Sequence, residues 1–243
     1  MAEVSDPRRP ISQPGIFSRI LTALAQAFKW LLLSLLFSIA IEWIGMVFWW
    51  QELGLEHSRQ MLAVELNYLD ADFRRSLLTS DPSRFAINLS EHLYHLLFEV
   101  TRFIDLAEWL APVPSTNEEG LRVTLHYVYQ PMAAFILAAM QMTQVFAIRL
   151  ATLILATPVF GLFAGVALID GLVRRDLRRW GGGRESSFVY HYAKKAAFPL
   201  VIIAWVLYLA LPFSLHPSWI ILPFAIGFGL TVAVTASTFK KYL

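Results

Sequence analysis

The chain has 243 residues, of which 57% are hydrophobic and only 16% are charged, and its mean hydropathy is +0.54. Soluble domains contain roughly 45–50% apolar and about 25% charged residues, so the composition excludes a water-soluble fold, and the apolar content excludes a disordered chain. The net charge is +2 and cysteine is absent, which excludes disulfides, thiolate metal sites and a cysteine nucleophile. We therefore predict an all-α integral membrane protein.

The apolar segments predict four transmembrane helices, because a helix needs about 20 mostly apolar residues to cross the ~30 Å hydrocarbon core. Trp30 at one end of the first segment and Trp49 and Trp50 at the other suit the two membrane interfaces. The predicted segments are a tail with a basic amphipathic helix (1–30), the first span (31–50), an external helical hairpin (51–130), a lead-in helix with the second span (131–169), a basic loop (170–197), the third span (198–215), the fourth span (219–238) and a tail (239–243). We place the second span at about 150–169 and leave open whether 132–148 is an additional span.

Charge predicts the orientation of these spans. Basic residues precede the first span, fill 170–197 and follow the last span, and the positive-inside rule places all three segments in the cytoplasm. Residues 51–130 carry six Arg, no Lys and twelve Asp or Glu, and six minus twelve gives a charge of −6. We therefore predict a multi-pass protein of the bacterial inner membrane, with both termini cytoplasmic and the acidic segment in the periplasm.

The external segment has the pattern of a helical hairpin. Apolar residues recur at helical spacing from Leu62 to Leu77 and again from Leu89 to Phe103, and Asp81, Pro82 and Ser83 form a turn with capping residues between them. Two helices alone bury little surface, so we expect this hairpin to pack on residues 132–148, on a second copy of the chain or on another protein.

Two features inside the spans point to helix packing. Gly161 and Gly165 form a small-xxx-small pattern, which allows another helix to approach closely, either within this chain or from another subunit. Glu42 lies within the first span, where an ionisable residue is costly. The only ionisable residues of the later spans are Arg149 and Asp170 at their edges, so we expect Glu42 to bond a Ser or Thr on another helix, or a partner subunit, and not to form a proton relay.

The sequence carries little that indicates catalysis. Glu91, His92, His95 and Glu99 crowd one flank of a helix, but the two His are three residues apart and not four as in HExxH, so we interpret them as a solvated polar face. No GxSxG, Walker A or GxGxxG motif is present. We predict a non-enzymatic protein with no catalytic residue, metal or cofactor. The alternatives are a small oligomeric transporter or ion-conducting protein that uses Glu42, and a metalloenzyme that uses His92 and His95.

The basic loop is the most distinctive stretch of the sequence. Its arginines form two pairs, four residues apart, on one side of a helical extension of the second span, and three glycines end that helix. The residues that we predict to dock a partner or lipid are Arg174, Arg175, Arg178, Arg179, Gly181, Gly182, Gly183, Arg184, Glu185, Tyr190 and His191. Such a patch can hold anionic lipid headgroups or a cytoplasmic protein, whereas so small a basic surface disfavours direct contact with nucleic acid.

This loop, with RRDLRRWGGGRES, FVYH and a following AKK, resembles a family of membrane proteins encoded in integrating conjugative elements. The resemblance implies an inner-membrane accessory of conjugative DNA transfer, typically encoded near the coupling ATPase that delivers DNA to a type IV secretion channel. It also implies that the loop residues, Asp176 among them, carry the function. Our leading hypothesis is a non-enzymatic subunit that binds this ATPase or the channel, and Arg178→Ala with Arg179→Ala should lower transfer. A homo-oligomer is left open.

Overall fold

The structure is a computed structural model, and it describes residues 16–72, 78–113, 120–181 and 187–239. All regular structure in these residues is helical. The helices are α1 (Ile16–Phe48), α2 (Leu55–Asp72), α3 (Pro82–Tyr94), a π-helical turn (His95–Glu99), α4 (Phe103–Leu110), α5 (Leu121–Trp180), α6 (Ser187–Ala210) and α7 (Ser218–Thr238). By length and apolar composition, four helices of the described part, namely α1, α5, α6 and α7, can cross a membrane.

Helix α5 is the organising element of the fold. It runs for 60 residues, about 90 Å at 1.5 Å per residue, and continues through Pro131 and Pro158. The lead-in helix and second span of the sequence prediction are therefore consecutive parts of one helix. The predicted helical extension beyond the span is confirmed, because α5 ends only at Trp180, with Gly181 as its C-terminal cap.

The bounds of α6 differ from those of the predicted third span. Helix α6 begins at Ser187, eleven residues before the predicted third span, because polar residues at its start continue the helix. It ends at Ala210, and the apolar residues that follow form a non-helical turn. Hydropathy identifies apolar residues and not the ends of helices, so the prediction left out the first turns of α6 and included the apolar residues of the turn that follows it.

The helices pack against two different stretches of α5. Helix α1 lies beside its earlier part, where the Trp43 indole N–H donates to the Phe135 carbonyl at 2.8 Å. Helices α6 and α7 lie beside its later part, and Gly229 of α7 sits against Phe163. Helix α1 also packs directly on α6, because Leu35 lies in one buried cluster with Ala204 and Tyr208.

The predicted hairpin partner is observed within this chain. Met61 of α2 packs with Met142 and Val145, inside the predicted lead-in, and further along Leu69 packs in one cluster with Ala151. Packing on the lead-in is therefore confirmed, and it extends into the predicted second span.

Two further predictions for the external segment concern the turn before α3 and the helix that follows this turn. The predicted turn is confirmed: the Asp81 carboxylate accepts a bond from the Arg84 backbone N–H at 3.0 Å, and Pro82 takes the first helical position. The predicted second helix, however, is interrupted. A π-helical turn follows α3, and Arg102 has a φ of 56°, in the left-handed region, before α4 begins.

Candidate functional site: buried ion pairs and a basic helix end

A buried arginine connects α2, α5 and the turn between α6 and α7. Arg149 Nε donates to Glu65 Oε1 at 2.8 Å, and Nη2 lies 2.7 Å from the same oxygen. Nη1 donates to the Leu211 carbonyl at 2.6 Å and Nη2 to the Phe213 carbonyl at 2.9 Å. The other Glu65 oxygen accepts from the Tyr208 hydroxyl at 2.8 Å. Every ionised group of this network, called here the Arg149 network, is paired, as burial demands.

Of the Arg149 network, the sequence indicates the arginine but not its partner Glu65. Arg149 is one of two ionisable residues at the edges of the later spans, and a lone arginine inside a long apolar run is itself a signal of a buried partner. Glu65 lies 84 residues away in a segment rich in acidic residues, so nothing local distinguishes it from its neighbours.

Glu42 has a partner of a different kind from the one predicted. His57 Nδ1 lies 3.0 and 3.1 Å from its two carboxylate oxygens, and the Glu42 side chain is fully buried. The Trp50 ring stacks on the His57 ring at 4.0 Å between centroids. The structure thus places a histidine of the same chain against Glu42, where we expected a Ser or Thr hydroxyl or a partner subunit. The α1–α2 turn brings an imidazole of the same chain back over the carboxylate.

The polar side chains of α3 and of the π-helical turn after it do not point toward a common centre. His95 lies 3.5 Å from Glu99, with both side chains more than half exposed, and His92 Nδ1 lies 2.6 Å from the Asn88 carbonyl oxygen. In the described residues, no three His, Asp or Glu side chains lie close enough together to hold a metal ion. This arrangement matches the interpretation of these residues as a solvated face.

Within the described residues, the small-xxx-small pattern is not where the helices of this chain meet. A Cβ atom built on Gly161 or Gly165 has no neighbour within 4 Å, so of the two alternatives only packing against another subunit stays a prediction for these glycines. The close approach between α5 and α7 occurs further along α5, at Gly171, where a Cβ atom would lie 2.5 Å from the Ala233 carbonyl oxygen. Neither Gly171 nor Gly229 forms part of the Gly161–Gly165 pair, which faces outward from the chain.

The arginines at the end of α5 have separate roles. Arg174 pairs with Asp170 at 2.8 Å and Arg175 with Asp176 at 3.3 Å, both on the surface of α5. Arg178 donates to the Ser237 carbonyl in the last turn of α7, where a cation is favoured by the helix dipole. Arg179 is exposed. Of the four arginines, Arg178 thus contacts another helix. The other three lie on the surface of α5, where they outnumber the two aspartates that pair with them.

The start of α6 lies at the same end of the molecule as residues 174–179 of α5. We call these two segments together the basic end. The Tyr190 ring lies 5.9 Å from the Phe239 ring, just beyond α7, and the Lys194 ammonium lies 5.8 Å from the Tyr190 ring centroid. The His191 ring lies 5.4 Å from the Tyr190 ring. The structure therefore brings Arg178 and Tyr190 together around the end of α7. The remaining predicted docking residues, Gly182, Gly183, Arg184 and Glu185, lie outside the described residues.

A family model described as IncC plasmid conjugative DNA transfer protein DtrJ-like matches residues 49–240. The match covers about four-fifths of the chain (240 − 49 + 1 = 192 of 243 residues) and includes both the Arg149 network and the basic end of α5. It leaves out α1. No curated protein and no solved structure matches the chain.

Proposed function

We propose a function from this premise: the chain belongs to the DtrJ-like family of IncC plasmid conjugative DNA transfer proteins. The predicted membership of a conjugative-transfer family is confirmed, and the chain therefore has a role in conjugative DNA transfer. The description of this family names an IncC plasmid, whereas the predicted family was one of integrating conjugative elements. Our proposal is finer: the protein is a non-enzymatic subunit of the bacterial inner membrane that binds the coupling ATPase or the type IV secretion channel.

The membrane location is supported by two independent properties. Four described helices are long and apolar enough to cross a bilayer. The charge of the segments between them alternates, with −6 over residues 51–130 and a cluster of arginines and lysines over 170–197. Positive segments remain on the cytoplasmic side, so the basic end of α5 is proposed to face the cytoplasm, where the coupling ATPase acts.

The docking surface that we propose is the exposed part of the basic end. Arg174 and Arg179 project from the last two turns of α5 and are exposed, so both are accessible to an acidic surface of a partner. Arg178 is not part of this surface in our proposal, because its guanidinium already caps α7. The observation that carries the proposal is the family match, which includes this whole region.

The ion-conduction hypothesis gains no support from the position of Glu42. Its carboxylate is enclosed by His57, under the stacked ring of Trp50. The second buried carboxylate, Glu65, is paired with Arg149 and Tyr208. Both groups hold helices of the same chain together, which is a structural use of charge.

The proposal is tested by removing the two exposed charges, Arg174→Ala with Arg179→Ala. Each interfacial surface charge contributes about 0.7 kcal/mol, so the pair should weaken association about tenfold. Donor cells that carry this variant should show a correspondingly lower mating frequency, with unchanged amounts of protein in the membrane. Affinity purification in mild detergent, followed by mass spectrometry, should recover the coupling ATPase or channel subunits with the native chain and lose them with the variant.

The matched control removes two arginines elsewhere, Arg59→Ala with Arg84→Ala, both exposed on α2 and α3. It changes the net charge equally and should leave transfer and co-purification intact. An equal loss with the control, or normal transfer by the Arg174 and Arg179 variant, would contradict the proposed docking surface. We avoid Arg178→Ala, because loss of transfer could then follow from an uncapped α7.

A further inference from the structure

We propose that a cavity between α5, α6 and α7 binds the phosphate and glycerol of one anionic phospholipid. The cavity has a volume of about 410 Å³ and lies where the three helices meet at their basic end. It is lined by Leu168, Leu172, Arg175, Lys194, Ala197, Val232, Thr235, Ala236 and Phe239. This inference depends on the proposed membrane location and is independent of any partner in DNA transfer.

The lining changes from apolar to cationic along the helix axes. On α5, Leu168, Leu172 and Arg175 follow one another on one face, spaced by four and three residues, so the arginine lies about 10 Å beyond the first leucine. Helix α6 is antiparallel to α5, and its cation, Lys194, precedes Ala197 in the same way. Both cations therefore lie at the outer end of the cavity, and the deeper walls are apolar.

This gradient is the one that a phospholipid presents at a membrane surface. Its anionic phosphate lies at the level of the headgroups and its acyl chains point toward the bilayer centre. Arg175 and Lys194 come from different helices, so a phosphate between them can accept bonds from a guanidinium and an ammonium at once. A free phosphate ion would use the cations and leave the apolar walls in water.

The walls are open on the side that a lipid would need. Leu168 and Leu172 remain 47% and 38% exposed, so the cavity is continuous with the outer apolar surface of the helices. Acyl chains can leave it along this surface. A peptide ligand would instead need backbone partners, and the lining supplies few polar groups for them.

The acidic side chain of Asp176 opposes the binding of an anion by Arg175. The Asp176 carboxylate lies 3.3 Å from Arg175 Nη2 and 3.4 Å from its Nε. This bond occupies part of the guanidinium, which has five N–H donors in all. Removing the carboxylate should therefore strengthen lipid binding, an effect that a merely structural role of Arg175 would not produce.

The test measures lipid binding by native mass spectrometry of the purified chain in detergent, with dioleoyl phosphatidylglycerol as the probe. Because a cation near the membrane surface contributes about 1 kcal/mol, Arg175→Gln and Lys194→Gln should each weaken binding about fivefold, and the double variant about 25-fold. Asp176→Asn should bind more tightly than the native chain. Phosphatidylcholine, which has no net charge, should bind weakly to all of them.

Two control variants distinguish a lipid site from non-specific attraction and from a site for a free anion. Arg174→Gln removes a cation outside the lining and should leave the affinity unchanged, so an equal loss would show non-specific attraction and overturn the site. Ala197→Phe fills the apolar part and keeps both cations, and it should abolish lipid binding. If Ala197→Phe binds phosphatidylglycerol normally, or if inorganic phosphate competes for the site at equal affinity, the ligand is a free anion and the lipid proposal fails. Thermal unfolding of each variant without lipid checks that it is folded.

Discussion

Arg149 shows how a single charged residue can hold several helices together in an apolar protein. Its guanidinium spans a carboxylate on α2 and two carbonyls of the α6–α7 turn, and it is 1% exposed. These two carbonyls follow the end of α6, where backbone oxygens have no helical partner. The arginine therefore satisfies a helix end and an acidic side chain with one group.

We expect Arg149→Met to destabilise the protein by about 3–5 kcal/mol, because it leaves the buried Glu65 carboxylate without its counter-charge. Tyr208→Phe removes one hydrogen bond to the same carboxylate and should cost about 1–3 kcal/mol. Both values can be measured by denaturant unfolding in detergent.

The companion variant for this prediction is Glu65→Leu with Arg149→Met. Because it removes both charges, it should recover much of the stability lost in Arg149→Met. A double variant as unstable as the single one would mean that the carbonyl contacts, and not the ion pair, account for the loss.

At the scale of helices, the glycines of α5 and α7 distinguish two kinds of helix surface. Gly171 meets the α7 backbone so closely that a Cβ there would also lie 2.7 Å from the Ala236 side chain. Gly161 and Gly165 face open space. The familiar sequence pattern therefore marks an outer surface, and an isolated glycine marks the contact inside the chain.

We expect Gly171→Ala to destabilise the chain by about 1–3 kcal/mol through overpacking between α5 and α7. Gly161→Ala meets no atom and should stabilise α5 slightly, by up to about 1 kcal/mol, because alanine is the better helix former. Thermal unfolding of the two variants in the same detergent makes the comparison.

The opposite order of stabilities would contradict the α5–α7 packing. The same Gly161→Ala protein also tests the outer surface. If its stability is normal but its assembly with other copies or subunits is weaker on size-exclusion chromatography, the Gly161–Gly165 surface packs between chains.

At the scale of the whole molecule, the long helix α5 is in contact with all the other α-helices of the described residues. The α1–α2 turn encloses Glu42 beside the earlier part of α5, and α7 ends beside Arg178 at its far end. The Arg149 network lies between these ends and connects α2 with the α6–α7 turn. Changes at the basic end can therefore reach the acidic segment through α5 and through α6, whose Tyr208 donates to Glu65 of α2.

The proposed orientation is tested by cysteine labelling, which is direct here because the native chain has no cysteine. Gln60→Cys on α2 and Arg179→Cys at the end of α5 are both exposed positions. A membrane-impermeant maleimide should label Gln60→Cys in intact spheroplasts and label Arg179→Cys only after the membrane is opened. Labelling of Arg179→Cys in intact spheroplasts would reverse the topology and remove the basic end from the cytoplasm.

The basic end of the candidate site could largely be predicted from the sequence, whereas the buried ion pairs of Glu42 and Arg149 could not. The four arginines and three glycines are adjacent in sequence, and a helix brings such neighbours together whatever its surroundings, so the extension of α5 and its end were predicted correctly. The use of Arg178 as a cap for α7 was not predicted, because Ser237 lies 59 residues away. The partners of Glu42 and Arg149 were missed for the same reason.

The sequence by itself determined the helical fold class, the four helices apolar enough to cross a membrane, the charge of their connections and the conjugative-transfer family, because hydropathy, charge and motif spacing are properties of neighbouring residues. The tertiary structure alone decided that residues 121–180 form one helix and that His57 covers Glu42. It also decided that Glu65 and Tyr208 surround Arg149 and that Gly171, not Gly161, lies at a helix contact. Each of these depends on which surfaces meet in space, and a buried charge takes the partner that packing brings within hydrogen-bond distance.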